Sequence, residues 1–463
     1  MADKSYRSWP RDQVLLLPPQ LRQWLPENHL AQFILDIVDD LDLREIHDVY
    51  PRKDHRGERP WDPRMLLSLL FYGYATGVCS SRRIEKATYE NVASRVIAAD
   101  THPDHSCIAE FRRAHLGAIE RLFLRVLQLC AQAGMVKLGR VALDGTKVNP
   151  GVGQAPASKH KAMSHARVVE REAALRAEIE RMLREAEAAD AAEDVLHGKD
   201  RRGDELPPEL RRRVDRLAAI RRARAALEAE AKAAREAELA ERARAAEPPE
   251  NPPAPPSLPS HQVQHDTDGN PRPSAQRNFT DPDSRIMVTG KEFVQAYDAQ
   301  VVVDEAEQVI VAAAVTNQPT DVQHLPAMVA QCRENLDATP VQLLADAGYW
   351  SAANVDGAEA QGIDVLVSVA REKRVLDGGR PWPAGDPRGA MLDRLTEPIG
   401  KAAYRRRKAI VEPVSGQIKG ARGIRQFQLR GLQGARGEWS LVCTTHNLLK
   451  LFRFTQRSAL ALA

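Results

Sequence analysis

KLGRVALDGTKV, residues 137–148, decides the fold. Val141, Ala142 and Leu143 form an apolar, partly β-branched run that stops on Asp144 and is followed by Gly145, the pattern of a buried strand with a carboxylate at its end. Taken alone, such a string is equally a strand-end Asp-Gly turn. It gains weight from VQLLADAGYW, residues 341–350, where a second apolar run delivers Asp346 in the same way. A third acid, Glu412, stands inside the basic stretch YRRRKAIVEPVSGQIKG, residues 404–420.

Two carboxylates at strand ends and a third among arginines make the donor set of a divalent-metal phosphoryl-transfer site. Hard cations prefer oxygen ligands, and one or two carboxylates per ion suffice when substrate phosphate supplies the rest. Two such ions about 3.5–4 Å apart neutralise the charge that builds on attacking and leaving oxygens. Without cations, three clustered carboxylates repel and their proton affinities rise.

The 463 residues suggest two or three domains, and 43% hydrophobic with 28% charged residues suits a globular protein carrying solvated helix. No run of apolar residues is long enough for a membrane helix. The polar opening MADKSYRSWPRDQ lacks the core of a signal peptide, so a cytoplasmic, nucleoid-associated protein is expected. Cys79, Cys107, Cys130, Cys332 and Cys443 are dispersed without a CxxC pair, which speaks against a zinc ribbon or a disulfide framework and for buried free thiols. From Lys401 to Arg436 there are ten Lys or Arg against one acid, Glu412, a net +9 suited to a polyanion.

The pattern along the chain predicts a helical domain over 1–135. Leu30, Phe33, Ile34, Ile37, Val38 and Leu41 recur at helical spacing, Asp62 and Pro63 open a helix that Gly77 breaks, and SSRRIEKA starts another. Ile108, Phe111, Leu116, Ile119, Phe123, Val126 and Leu127 then predict one long helix. Arg82, Arg83, Arg112 and Arg113 are candidates for DNA contact, or merely solvated. Strand character over 136–164 begins a second domain. Residues 165–247 turn rich in Ala, Glu and Arg, with stripes of Leu175, Ile179, Met182 and of Leu210, Val214, Leu217, Leu227, which predict a coiled-coil hairpin. A Pro-rich linker, 248–285, is too polar to pack, and its His261 and His265 read as solvated. Residues 286–463 return to mixed strand and helix, with Asp304 and Glu305 in a hairpin turn and Asp321 at a helix N-cap. The expected class is therefore α+β and multidomain.

In order, LDGTKV (143–148), TDPDSRIM (280–287), FVQAYDAQVVVD (293–304), VTNQPTDVQHL (315–325), ADAGYWS (345–351) and VEPVSGQIKG (411–420) resemble the blocks of DDE transposases from bacterial insertion sequences. KHKAMSH, residues 159–165, is similar to the segment after that family's first catalytic Asp. The resemblance implies a ribonuclease H-like catalytic domain interrupted by the helical insertion. It implies Asp144, Asp346 and Glu412 as metal-binding catalytic triad, Mg²⁺ as cofactor with Mn²⁺ able to substitute, and double-stranded DNA as partner: terminal inverted repeats and target. A homodimer or larger assembly on DNA follows, with Arg405, Arg407, Lys408, Lys419, Arg422 and Arg425 as DNA-binding residues. Asp281, Asp298 and Asp321, all in matched blocks, compete for the second acidic role. The chain departs from the family in three places: Lys408 stands four before Glu412 where an Arg is usual, Tyr404 lies one residue further away, and Ser415 replaces a Phe. Lys is the poorer bidentate phosphate ligand, which leaves a catalytically inactive, DNA-binding derivative as the alternative.

Overall fold

The computed structural model describes residues 20–49, 60–150, 162–197, 208–245, 261–278, 280–290, 292–370 and 382–462, with Leu376 and Gly378. Its contacts divide the chain into two units, one of residues 1–114 with 452–463, the other of residues 115–451.

The first unit is helical: α1 (Leu30–Asp40), α2 (Arg44–Val49), α3 (Pro63–Thr76), α4 (Ser81–Glu90), α5 (Val92–Ile97) and α6 (His105–Ala114). Asp62 caps α3 by accepting the Arg64 N–H at 2.7 Å, and Gly77 ends it at φ +81°, a left-handed position that favours glycine. Leu66 through Ala75 are all buried, which makes α3 the axis of this core. Ile34 and Val38 pack on one side of α1, as their spacing predicts. Arg112 is not available to DNA: it is 3% exposed and donates to the Tyr74 hydroxyl and the Cys79 carbonyl, both at 2.9 Å. Arg82, Arg83 and Arg113 are exposed.

The predicted long helix is two, since α6 ends before α7 (Leu116–Gln132), which belongs to the second unit. There β1 (Arg140–Val148) pairs antiparallel with β5 (Glu292–Asp304) and parallel with β7 (Gln342–Ala345). β6 (Ile310–Thr316) lies antiparallel on β5, and β8 (Asp364–Val367) parallel on β7. The order β6-β5-β1-β7-β8, three antiparallel strands followed by parallel ones, is the ribonuclease H-like arrangement expected. β4 (Arg285–Thr289) pairs with the first half of β5. α10 (Leu325–Leu336) and α11 (Ala352–Glu359) carry the chain into β7 and β8, and α12 (Pro387–Thr396) leads to α13 (Pro398–Gly416), which packs on β1, β5 and β7. α14 (Leu432–Leu462) covers the β6 edge: Asn447 donates to Ile310 O at 2.8 Å and accepts its N–H at 2.9 Å.

The insertion leaves the sheet through β2 (Ala162–Ser164) and returns through β3 (Gln276–Asn278), paired antiparallel. Between them α8 (His165–His197) and α9 (Pro208–Ala245) form the hairpin, antiparallel because Arg213 pairs with Glu178 while Arg221 and Arg224 pair with Glu172. Val168, Leu175, Ile179, Leu217 and Ile220 make its core. Val214, assigned to that stripe by sequence, is exposed; Ile220 takes the inward position three residues beyond Leu217. The described part of the Pro-rich segment does pack, because Val263 and Ala275 supply apolar surface that α9 buries with Leu227 and Ala231. All five cysteines are free, and four are buried. Among the described residues no helix is long and apolar enough to cross a membrane.

Candidate active site

In β1 and β7, Ala142 pairs with Leu344, so Asp144 and Asp346 each stand two residues further along parallel neighbours. Asp346 ends its strand and caps the turn Ala347–Tyr349 by accepting the Gly348 N–H at 2.8 Å. The Asp144 carboxyl is pushed up to about 6, first by burial and further by the charges of Asp346 and Asp321, against the pull of Arg407. An acid raised in this way by its neighbours' charges sits in a site short of cation. Asp144 and Asp346 thus fit a hard divalent ion.

α13 brings the basic run to these acids. The Tyr404 hydroxyl donates to Ala345 O at 3.1 Å, Arg407 Nη1 lies 3.8 Å from Asp144 Oδ1, and Lys419 Nζ donates to Lys147 O at 2.8 Å. Glu412 lies on the helix between Arg407 and Lys419 and is exposed. No hydrogen bond or ion pair joins it to another described residue. Beyond Gly416 the helix loosens into a π-helical turn, Gln417–Ala421, a device that re-aims side chains within a helix.

Of the other basic candidates, Arg405, Lys408 and Arg425 are exposed, and Arg425 Nε also donates to Lys419 O at 3.1 Å. Arg422 is buried, donating to Val442 O and to Thr445 Oγ1 at 3.0 Å, and so ties the turn to α14. A charge run read as a DNA footprint can include a structural member, and only the packing of α14 reveals it. Arg406 pairs with Glu305 at 2.6 Å.

Asp144 falls in the middle of β1, which runs on to Val148 in register with β5 rather than stopping on the acid as the sequence suggests. Behind Asp144 and Asp346 sits a buried group that the sequence marked only as competing acids. Lys147 Nζ lies 2.7 Å from Asp298 Oδ2 and 3.2 Å from Asp321 Oδ1. Gln300 donates to Asp321 at 3.2 Å, and the Tyr349 hydroxyl donates to Gln300 Oε1. Asp321 is therefore not a side-chain N-cap of α10. Burial drives the Asp298 carboxyl up, while Asp321, which burial also opposes, is held below its ordinary value by the hydrogen bond from Asp298 and by Lys147. Asp298, Asp321 and His324 bring ligand atoms within 4.8 Å of one another, close enough to hold a metal ion, with the Lys147 ammonium against both carboxylates. His324 is fully buried, and burial lowers it to about 4, so it is neutral. Two glycines permit this crowding. A Cβ at Gly145 would collide with Gln300 Nε2 and meet Asp298 Oδ1 at 3.1 Å; one at Gly348 would meet Asp346 Oδ1 at 3.0 Å and Asp321 Oδ2 at 3.1 Å.

Two further expectations change. Asp304 is buried, accepting the Leu138 N–H at 2.8 Å and the Ala306 N–H at 2.9 Å, so it anchors the start of β1 rather than decorating a turn. His261 is half-buried, and burial lowers it to about 4.

No curated protein and no solved structure matches the chain. Two family models do: Transposase domain (DUF772) over residues 19–114 and Transposase DDE domain over residues 269–448. The first falls on the helical unit; the second runs from just before β3 through the parallel strands and into α14. With these two models covering more than half of its length, and a ribonuclease H-like sheet beneath the second, the chain belongs to the DDE transposases of insertion sequences.

Proposed function

We propose that this transposase binds the terminal inverted repeats of its element as double-stranded DNA, cuts strands at the element ends, and joins the freed 3′ hydroxyl to target DNA. The observation that carries this reading is the pair Asp144 and Asp346, side by side on β1 and β7 with α13 across them. Asp144, Asp346 and Glu412 would hold the metal, and Mg²⁺, or Mn²⁺ in its place, would supply activation of the attacking oxygen and charge neutralisation on the leaving one. Arg407, 3.8 Å from Asp144, supplies a cation beside the first acid and a fork that suits phosphate. Arg405, Lys408 and Arg425 grip the DNA backbone from exposed positions, and Lys419, anchored on Lys147 O, fixes the helix against β1. Two element ends require two copies of the chain, so a dimer or larger assembly forms on DNA at the nucleoid.

The test is cleavage of supercoiled DNA carrying the flanking terminal repeats, with Mg²⁺ or Mn²⁺. Cutting at the repeat ends by the wild type, lost in Asp144→Asn, Asp346→Asn and Glu412→Gln, is the expected result. Tight repeat binding without cutting by the wild type would overturn the catalytic reading in favour of an inactive DNA-binding derivative.

A further inference from the structure

Where the insertion rejoins the sheet there is a cavity of about 320 Å³, bordered by β3, β4 and the segment that packs on α9. Its walls include Arg277 and Arg285, only 6% and 7% exposed. One carboxylate serves both: Glu230 Oε2 lies 2.7 Å from Arg277 Nη1 and 3.4 Å from Arg285 Nη2. Two buried guanidiniums share that one ion-pair partner, with Asp283 acting on Arg285 only through space, and keeping them out of water is unfavourable unless an anion joins them.

The hydrogen bonding is unfinished in the same place. Arg285 Nη1 is occupied by Pro282 O at 2.6 Å and Ser284 O at 3.0 Å, but the Nε groups of both arginines have no acceptor. His261 Nδ1, on the same wall, also lacks a partner. Buried arginine N–H groups left unmade are rare, and each calls for an acceptor. A phosphate group offers several acceptor oxygens and negative charge, and matches the arginine fork. Gln295, another wall residue, lies on β5 six positions before Val301, the partner of Asp144. Six residues of strand span about 20 Å. What enters the cavity is not the phosphate being cut.

We propose that this cavity is a second phosphate site, which takes a backbone phosphate of DNA at the root of the helical insertion. The phosphate chemistry stands on the arginines alone; DNA as its source rests on the function proposed above.

The full chain is the test object. The thermal midpoint is measured in sodium phosphate and in sodium chloride at matched ionic strength, for the wild type, Arg277→Gln and Glu230→Gln. The wild type should gain stability in phosphate, Arg277→Gln should lose that gain, and Glu230→Gln should enlarge it, because the resident acid no longer competes. Glu230→Gln keeps the test decisive where the arginine variant does not fold. No phosphate-specific gain in either the wild type or Glu230→Gln overturns the site. The second arm is the salt dependence of duplex binding, whose log–log slope should fall by about one in Arg277→Gln if one phosphate contact is lost. A phosphate gain with an unchanged slope assigns the cavity to free phosphate or nucleotide and overturns DNA as the ligand. A phosphate gain in a wild type that binds no DNA supports the site and overturns the transposition reading instead.

Discussion

Arg407 Nη1 stands 3.8 Å from Asp144 Oδ1 while its guanidinium carbon lies 6.0 Å from the centre of the Tyr404 ring. One arginine is thus shared between the acid of β1 and the helix that brings Glu412. Lys408, four residues before Glu412, is exposed, and its neighbour Arg407 is the residue that places a cation beside Asp144.

Asp144 should make the metal-free protein sensitive to pH. Its carboxyl is raised from 3.8 to about 6, so the folded state holds the proton more tightly than the unfolded chain. Stability is then highest below the unfolded value and falls as pH rises through the folded one, by about 3 kcal/mol across the two units. Asp144→Asn removes that loss. Its thermal midpoint without metal should exceed the wild type's at neutral pH and converge with it in acid, and added Mg²⁺ should raise only the wild type's. A variant less stable than the wild type at neutral pH would show that the Arg407 pairing outweighs burial.

Glu412→Gln should separate chemistry from stability. The side chain is exposed and unbonded, so its replacement should shift folding free energy by no more than about 0.5 kcal/mol. Strand cleavage should nevertheless disappear. Urea unfolding alongside a plasmid-nicking assay decides it; retained nicking sinks Glu412 as a ligand.

Lys147 and Asp298 should respond very differently to loss of charge. Lys147→Met strips the cation from the Asp321 carboxylate and the donor from the buried Asp298 carboxyl, and should cost about 1.5–3 kcal/mol. Asp298→Asn mimics the protonated form that burial already favours, and should cost less than about 1.5 kcal/mol. Chemical denaturation of both variants gives the ranking, and equal losses would mean that Asp298 is ionised in the folded protein.

Arg422 and Arg425, three residues apart, should fail in different assays. Arg422→Ala removes buried charge-assisted bonds to α14 and should destabilise by about 1.5–3 kcal/mol while leaving the salt dependence of DNA binding unchanged. Arg425→Ala should leave stability nearly intact and reduce the salt slope by about one. A binding titration against ionic strength distinguishes them.

Much of this was legible before the structure. The apolar runs before Asp144 and Asp346 gave away buried strands because both faces of a covered parallel strand are apolar. The hairpin showed in its helical stripes, and α3 in Asp62, Pro63 and Gly77. What escaped was whatever depends on a neighbour distant in sequence. Lys147, Asp298 and Asp321 meet only after β1, β5 and the turn before α10 assemble, and nothing local marks them as partners. Arg112 and Arg422 look like surface charges until their acceptors, Tyr74, Cys79, Val442 and Thr445, are seen around them.

The pairing of Ala162, Met163 and Ser164 with Asn278, Arg277 and Gln276 has a consequence for biosynthesis. The ribosome releases Asp144 long before Asp346, and their strands cannot pair until everything between has emerged. At 5–20 residues per second, some 200 residues occupy about 10–40 s. The helical hairpin, built on local contacts, can fold within that wait. By drawing its two ends together it shortens the loop that β1 and β5 must then close, which lowers the entropic cost of pairing. A nascent chain is therefore without its acidic pair until the whole insertion and β7 have emerged.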